Sequence, residues 1–272
     1  MVLAKSKLSP IILNNSPLVS IITVVYNNVD YIDKAINSVY SQNYPNIEYI
    51  VIDGGSTDGT IDLINKDSHK IDRFISEQDK GVYDALNKGI KIASGNIVGI
   101  LHSDDVFMSN SIVSLNIEAM LLSKADICFS DMIIVNRNDD QIYRYYNAKY
   151  YKKWLFRIGW MPPHPTCFIK KSLFESYGYY SLNYKITSDF DLLLRFLVVH
   201  SVSWTHINKI TVKMYNGGLS NSGLNSKKII ANEISHSLKK NKIWSLKALH
   251  LVRYIIRFSE LILTPSKNKF IS

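Results

Sequence analysis

The chain predicts an α/β fold, with a mostly parallel sheet flanked by helices. Three observations carry this expectation. β-Branched runs such as Val19 to Val25 have the composition of strands buried on both faces. Between them lie segments with apolar residues at helical spacing, and such alternation implies parallel pairing through right-handed crossovers. Polar residues then fall just after successive strands, at the edge where sheets of this kind bind ligands.

The first strand, Val19 to Val25, ends in Tyr26-Asn27. Asp30 to Gln42 follows as a helix, with Ile32, Ala35, Ile36, Val39 and Tyr40 on one face and Asn43 and Pro45 as stop signals. Ile47 to Ile52 is the second strand, and the loop Asp53-Gly54-Gly55-Ser56-Thr57-Asp58-Gly59-Thr60 leads into a helix from Ile61 to Asn65. Arg73 to Ser76 is a short third strand, Val82 to Ala93 a helix, and Asn96 to Leu101 a fourth strand. Asp105 to Ala119 reads as helical, with Asp105 as a possible N-cap.

Beyond this point the rhythm weakens. Asp126 to Val135 reads as a strand, and the tyrosine-rich stretch Asn136 to Tyr151 as a hairpin or loop. Trp160 to Thr166 is a rigid aromatic segment leading into a strand from Cys167 to Lys170. Ser188 to Phe196 begins a helix with Asp189 and Asp191 in its first turn, where acids suit the helix dipole.

Composition excludes several classes. At 272 residues, 46% hydrophobic and 20% charged, the chain can bury a large core and is not globally disordered. Cys128 and Cys167 sit in apolar runs as reduced core residues, and no Cys/His cluster has zinc spacing. The apolar patch Pro10 to Leu13 is too short for a signal-peptide core, and no stretch is long enough for a membrane span, so the expected location is cytoplasmic. The net charge of +9 is concentrated in residues 227–270, where ten Lys or Arg face only Glu233 and Glu260. No nucleic-acid-binding motif accompanies these bases, so an anionic membrane surface is the better-fitting partner than nucleic acid.

The chemistry centres on Ser103-Asp104-Asp105 at the end of an apolar strand. Adjacent carboxylates repel each other unless a cation compensates, and a hard divalent ion completed by substrate phosphates would do so. Tyr26-Asn27, Asp53 and Asp104-Asp105 follow three different strands, a convergence that turns the expectation from caps to an active site.

In these motifs the chain resembles family 2 glycosyltransferases of the GT-A fold, whose sheet is Rossmann-like. The resemblance runs from about Leu18 to Arg195 and more weakly to Leu219. It rests on Tyr26-Asn27, the Asp53 to Thr60 loop, Asn87-Lys88-Gly89, Ser103-Asp104-Asp105 and the Asp189 turn, in that order. The run Asp79-Lys80-Gly81-Val82-Tyr83-Asp84 is similar to members that build bacterial surface polysaccharides such as lipopolysaccharide O-antigen, capsule or exopolysaccharide.

Composition and charge set off a flexible leader (1–17) and a basic helical extension (223–272), and the resemblance makes the part between them (18–222) a catalytic domain. Within the domain, 18–106 would be the nucleotide-binding part and 107–222 the acceptor side. It implies that Asp53 accepts a hydrogen bond from the uracil of a UDP-sugar, with Tyr26 against the base and Asn27 beside it. Asp104 would contact ribose or sugar, and Asp105 would bind Mn²⁺ or Mg²⁺. Asp189 would be the general base, with Asp191 as its competitor, because Ser188 stands where the family usually has Glu. Leu86 replaces a frequent arginine near the diphosphate, so Lys80 or Lys88 would supply that charge, with Asp84 among the donor-binding residues. His164, between prolines, is either structural or an additional contact to phosphate or metal.

The implied reaction is an inverting transfer from a nucleotide sugar, a UDP-hexose or UDP-N-acetylhexosamine, to a saccharide acceptor on a lipid-diphosphate carrier. Lys247, His250, Arg253 and Arg257 share one face of a helix expected from Ile243 to Leu263, which would either dock on anionic lipid or pack on the domain. A non-catalytic sugar-nucleotide-binding protein of the same fold is the alternative. A dehydrogenase is disfavoured because the turn after the first strand, Tyr26 to Asp30, has no glycine.

Overall fold

A computed structural model describes residues 16–217 and 224–245. The strands are β1 (Val19–Val25), β2 (Ile47–Asp53), β3 (Arg73–Ser76), β4 (Ile97–Ile100), β5 (Asp105–Phe107), β6 (Ile127–Val135), β7 (Ile142–Tyr146), β8 (Phe168–Lys170) and β9 (Trp204–Tyr215). The α-helices are α1 (Ile32–Tyr40), α2 (Thr60–Lys66), α3 (Val82–Ile92), α4 (Ile112–Ser123), α5 (Lys171–Tyr177), α6 (Ser188–Leu194) and α7 (Leu224–Lys240). A π-helical turn, Arg195–Val199, continues α6.

The strands form one sheet in the order β3-β2-β1-β4-β8-β6-β9-β5, with β7 paired to β6. The parallel pairing expected from the strand–helix rhythm holds across β3, β2, β1 and β4. Beyond β4 the sheet changes direction: β8 runs antiparallel to both β4 and β6, and β5 antiparallel to β9. Strand β9, twelve residues long and absent from the sequence reading, pairs parallel with β6 and carries β5 on its other edge.

Both faces of the sheet are covered, which is why β1 is buried along its whole length and apolar except at Ser20 and Thr23. Ile22 and Val24 pack with Ala85, Leu86 and Ile90 of α3 on one face. Val19, Ile21 and Val25 pack with Ile32, Ile36 and Val39 of α1 on the other. Helix α3 lies so close to the sheet that a Cβ on Gly89 would meet Ile22 Cγ2 at 2.6 Å. Glycine at that position is therefore a packing requirement.

One expected element is corrected. Asp105 does not cap a helix; it opens β5, and the helix starts seven residues later at Ile112. Pairing with β9, a strand a hundred residues away, draws Asp105 to Phe107 into the sheet. Residues 224–245 of the basic extension belong to the folded body, since Ile230, Ile234 and Leu238 enter the main core. The leader up to residue 15 and the basic stripe Lys247, His250, Arg253 and Arg257 lie outside the described residues.

Candidate active site

The carboxyl ends of β1, β2 and β4 meet at one edge, and their loops are interlocked. Asp53, fully buried at the end of β2, accepts the N–H groups of Gly55 and Ser56 and the hydroxyls of Ser56 and Ser76. Ser56 Oγ also accepts the Asn27 N–H, and Asn27 Oδ1 accepts the Thr57 N–H. To make these bonds Asn27 adopts a left-handed conformation (φ 47°), which Asn tolerates better than most side chains. Asp58 accepts from the Val29 N–H and from Thr60, and Asn28 Nδ2 donates to Ser103 Oγ at 2.8 Å. Tyr26 stands clear of this network with 64% of its surface exposed.

The two acids after β4 differ sharply. Asp104 pairs with Arg137 at 2.9 Å, and Arg137 also lies over the Tyr31 ring and donates to Asn216 O. Asp105 is fully buried, and neither of its carboxylate oxygens has a hydrogen-bond partner among the described residues. Burial, followed by the charge of Asp104, pushes its pKa well above the usual carboxylate range. An orphaned buried carboxylate is costly, and a cation is the compensation such a site accepts. No group of three or more His, Cys, Asp and Glu converges among the described residues. A divalent ion held here would therefore rely on Asp105, with Asp104 adjacent, and on oxygens from a ligand, the habit of Mg²⁺ in particular.

A chain of rings runs from this edge to Asp189. The His102 ring lies 6.3 Å from that of His164, and His164 Nε2 is 2.5 Å from Tyr180 Oη. Tyr180 stacks on Tyr83, whose hydroxyl donates to Ile186 O, three residues before Asp189. Burial lowers the pKa of His164 to about 3, so the ring is neutral and joins the two halves of the site through hydrogen bonding.

Asp189 and Asp191 sit on the same helix in opposite circumstances. Asp189 is partly buried; the Phe190 N–H donates to its Oδ1 at 2.8 Å, and the Tyr83 hydroxyl also bears on the carboxylate. Burial raises its pKa to about 6, within the range of a working general base. Asp191 is 1% exposed and saturated: Arg195 Nε binds one oxygen at 2.9 Å, while Ser237 and Asn241 of the C-terminal segment donate to the other. The loop before α6 is held by α7 as well. Glu233 accepts the N–H groups of Lys185, Ile186 and Thr187 and the Thr187 hydroxyl.

The remaining candidates lie in the β3–α3 loop and the first turn of α3. Asp84 accepts the Lys80 N–H at 3.0 Å. Lys80 is exposed, whereas Lys88 is engaged by Glu77 and Asp84. Sequence reading missed Arg137, Tyr180 and Glu233. None lies in a motif, and each reaches the site only because remote elements fold against it.

The family model for glycosyl transferase family 2 matches residues 20–178. An uncharacterized glycosyltransferase of Rickettsia typhi is 34% identical over 217 residues, covering 77% of this chain and 68% of the relative. A PGL/p-HBAD biosynthesis glycosyltransferase of Mycobacterium bovis is 28% identical, covering 76% of this chain and 80% of the relative. Among solved structures, residues 1–349 of S. aureus TarS in complex with UDP-GlcNAc share the fold at TM-score 0.64 and 18% identity. That match covers 81% of this chain and 66% of TarS 1–349, so the chain spans just under two thirds of that structure. A mannosyltransferase from Pyrobaculum calidifontis, in complex with GDP-Man and Mn²⁺, matches at TM-score 0.56 and 15% identity, covering 89% and 80%. With its sheet topology and these matches, the chain belongs to glycosyl transferase family 2 and has the GT-A fold.

Proposed function

We propose that this glycosyltransferase is metal-dependent and inverting, moving a sugar from a nucleotide-sugar donor to a saccharide acceptor. The observation that carries the reading is the pairing of two unusual acids. Asp105 is a buried carboxylate with no hydrogen-bond partner among the described residues, and Asp189 is a partly buried one with its pKa raised to about 6. His102, His164, Tyr180 and Tyr83 connect them. A carboxylate poised near neutrality can take the proton of an acceptor hydroxyl as that oxygen attacks the anomeric carbon. With one base and a nucleoside diphosphate as leaving group, the displacement is single and the configuration inverts, so an α-linked donor gives a β-linkage. A divalent ion bound at Asp105 would neutralise charge on the departing diphosphate.

Two structural neighbours support the donor class: TarS 1–349 is in complex with UDP-GlcNAc and the Pyrobaculum mannosyltransferase with GDP-Man and Mn²⁺. A lipid-linked acceptor and a cell-surface product rest on the likeness of the Asp79 to Asp84 run to members that build bacterial surface polysaccharides. Docking at an anionic membrane surface rests on the basic tail alone. No helix among the described residues is long and apolar enough to cross a membrane.

The test is an assay of the purified protein against a panel of nucleotide sugars, with Mn²⁺, with Mg²⁺ and with EDTA. Turnover should need the ion, and Asp105→Asn should abolish it, because an amide binds a hard cation weakly. Full turnover in EDTA would sink the assignment of Asp105. Product analysis by NMR should show inverted anomeric configuration.

A further inference from the structure

We propose that Asp79 reads the base of the nucleotide donor through one carboxylate oxygen beside the Tyr26 ring, and that this selects uridine. The inference rests on the nucleotide-sugar reading above and names the residue that discriminates among donors.

The carboxylate first expected in this role is already committed. Asp53 is fully buried, and its oxygens accept two N–H groups and two hydroxyls within its own loop and from β3. A carboxylate offers about four lone-pair sites, so little capacity is left for a ligand. The next residue, Gly54, has no side chain, and Asp79 fills the space beside it. A Cβ built on Gly54 would lie 2.6 Å from Asp79 Oδ2 and 3.4 Å from Tyr26 Cδ2. The Asp79 carboxylate and the Tyr26 ring thus flank one point at the mouth of β2, although they come from different loops.

Asp79 is also oriented. Its Oδ1 accepts the Gly81 N–H at 2.7 Å, while Oδ2 has no hydrogen-bond partner among the described residues. Gly81, at φ 107°, makes the turn that brings this N–H back onto the carboxylate. The exposed face of Tyr26 at a strand end is a platform on which a base can stack. A base lying there turns its ring edge toward Asp79 Oδ2.

That oxygen only accepts, so the base must present an N–H to it. Uracil presents a single ring N–H on that edge. Cytosine and adenine present a ring-nitrogen lone pair, which a carboxylate repels. Guanine presents two adjacent N–H groups and is matched by a carboxylate with both oxygens free, which the Gly81 contact denies to Asp79.

Calorimetric titration of the full chain in Mn²⁺ with UDP, CDP, GDP and 3-methyl-UDP tests this. Wild type should bind UDP best and 3-methyl-UDP at least about tenfold more weakly, since a charge-assisted hydrogen bond is lost. Asp79→Asn keeps an oxygen for the Gly81 N–H. It should weaken UDP about tenfold or more and bind UDP and 3-methyl-UDP alike. Gly54→Ala, at a position without positive φ, should displace the Asp79 carboxylate and give the same loss. Equal binding of UDP and 3-methyl-UDP by wild type, or undiminished discrimination in a natively melting Asp79→Asn, would overturn the assignment and leave the donor reading intact. A wild type that binds no nucleoside diphosphate would overturn both. If Asp79→Asn fails to fold, wild type and Gly54→Ala decide.

Discussion

The donor edge and the α6 loop are both polar, but they are held in different ways. At the donor edge, Asn27, Asp53, Ser56, Asp58 and Thr60 bond almost entirely to one another, between the ends of two adjacent strands. The α6 loop makes few such local bonds. Its N–H groups are taken by Glu233 and its Asp191 by Ser237 and Asn241, all more than forty residues away. The donor edge is therefore a self-contained βα unit, while the α6 loop exists in its working shape only once α7 has docked. Asp189 is left with an accessible carboxylate because its neighbours carry the structural bonds. The difference teaches that the C-terminal helix is part of the site even though it holds none of the proposed chemistry.

The largest effect should come from the residue that the docking leaves free. Asp189→Asn should lower kcat by about 10²–10⁴ with UDP affinity nearly unchanged, because the group acts on the acceptor hydroxyl. The rate should also rise with pH through about 6 as Asp189 ionises. Glu233, Tyr83, Tyr180 and Cys167 are titratable groups that face it. The sign for stability is opposite. A carboxylate whose folded pKa is raised contributes stability below its unfolded pKa and loses it as pH climbs through the folded value. Stability should therefore fall between about pH 4 and 6, and Asp189→Asn should recover about 1–3 kcal/mol at pH 7. Urea titrations of both proteins at pH 4 and pH 7 check this.

Two residues along the helix, the pattern should reverse. Asp191→Ala leaves the 14% exposed Arg195 side chain with only the carbonyls of Tyr177, Gly178 and Tyr179 against its charge and removes the acceptor for α7, so it should cost about 3–5 kcal/mol. Turnover per folded molecule should change little at permissive temperature. Exchanged phenotypes for Asp189 and Asp191 would break the comparison at its centre.

Glu233→Gln sharpens it. One amide oxygen cannot replace a carboxylate that serves three N–H groups and a hydroxyl, so a loss of about 1–3 kcal/mol is expected. Removing a negative charge that raises the Asp189 pKa should also move the acid limb of the pH–rate profile downward. A stability loss with an unmoved limb would reduce Glu233 to a distant anchor.

The smallest effect should fall on the donor edge. Asn27→Ala forces a side chain without a local hydrogen bond into φ 47° and frees the Thr57 N–H, a cost of about 1–2 kcal/mol. Because the other loop bonds remain, UDP affinity should drop only severalfold. Collapse of the whole edge would show that it is less redundant than its bonding implies.

The sequence by itself determined the strand–helix rhythm from β1 to β4, because hydrophobic periodicity is local and β1, β2 and β4 are buried on both faces. It also determined which loops carry the polar residues, since those residues stand at the strand ends. The tertiary structure decided the rest. It drew Asp105 out of an expected helix into β5 through pairing with β9, a strand with no clear local signature. It saturated Asp53, gave Arg137 to Asp104 and bound Asp191 to α7, leaving Asp189 accessible. Two acids separated by one residue look alike in a pattern. What distinguishes them is which distant donors fold against each, and sequence spacing does not encode that.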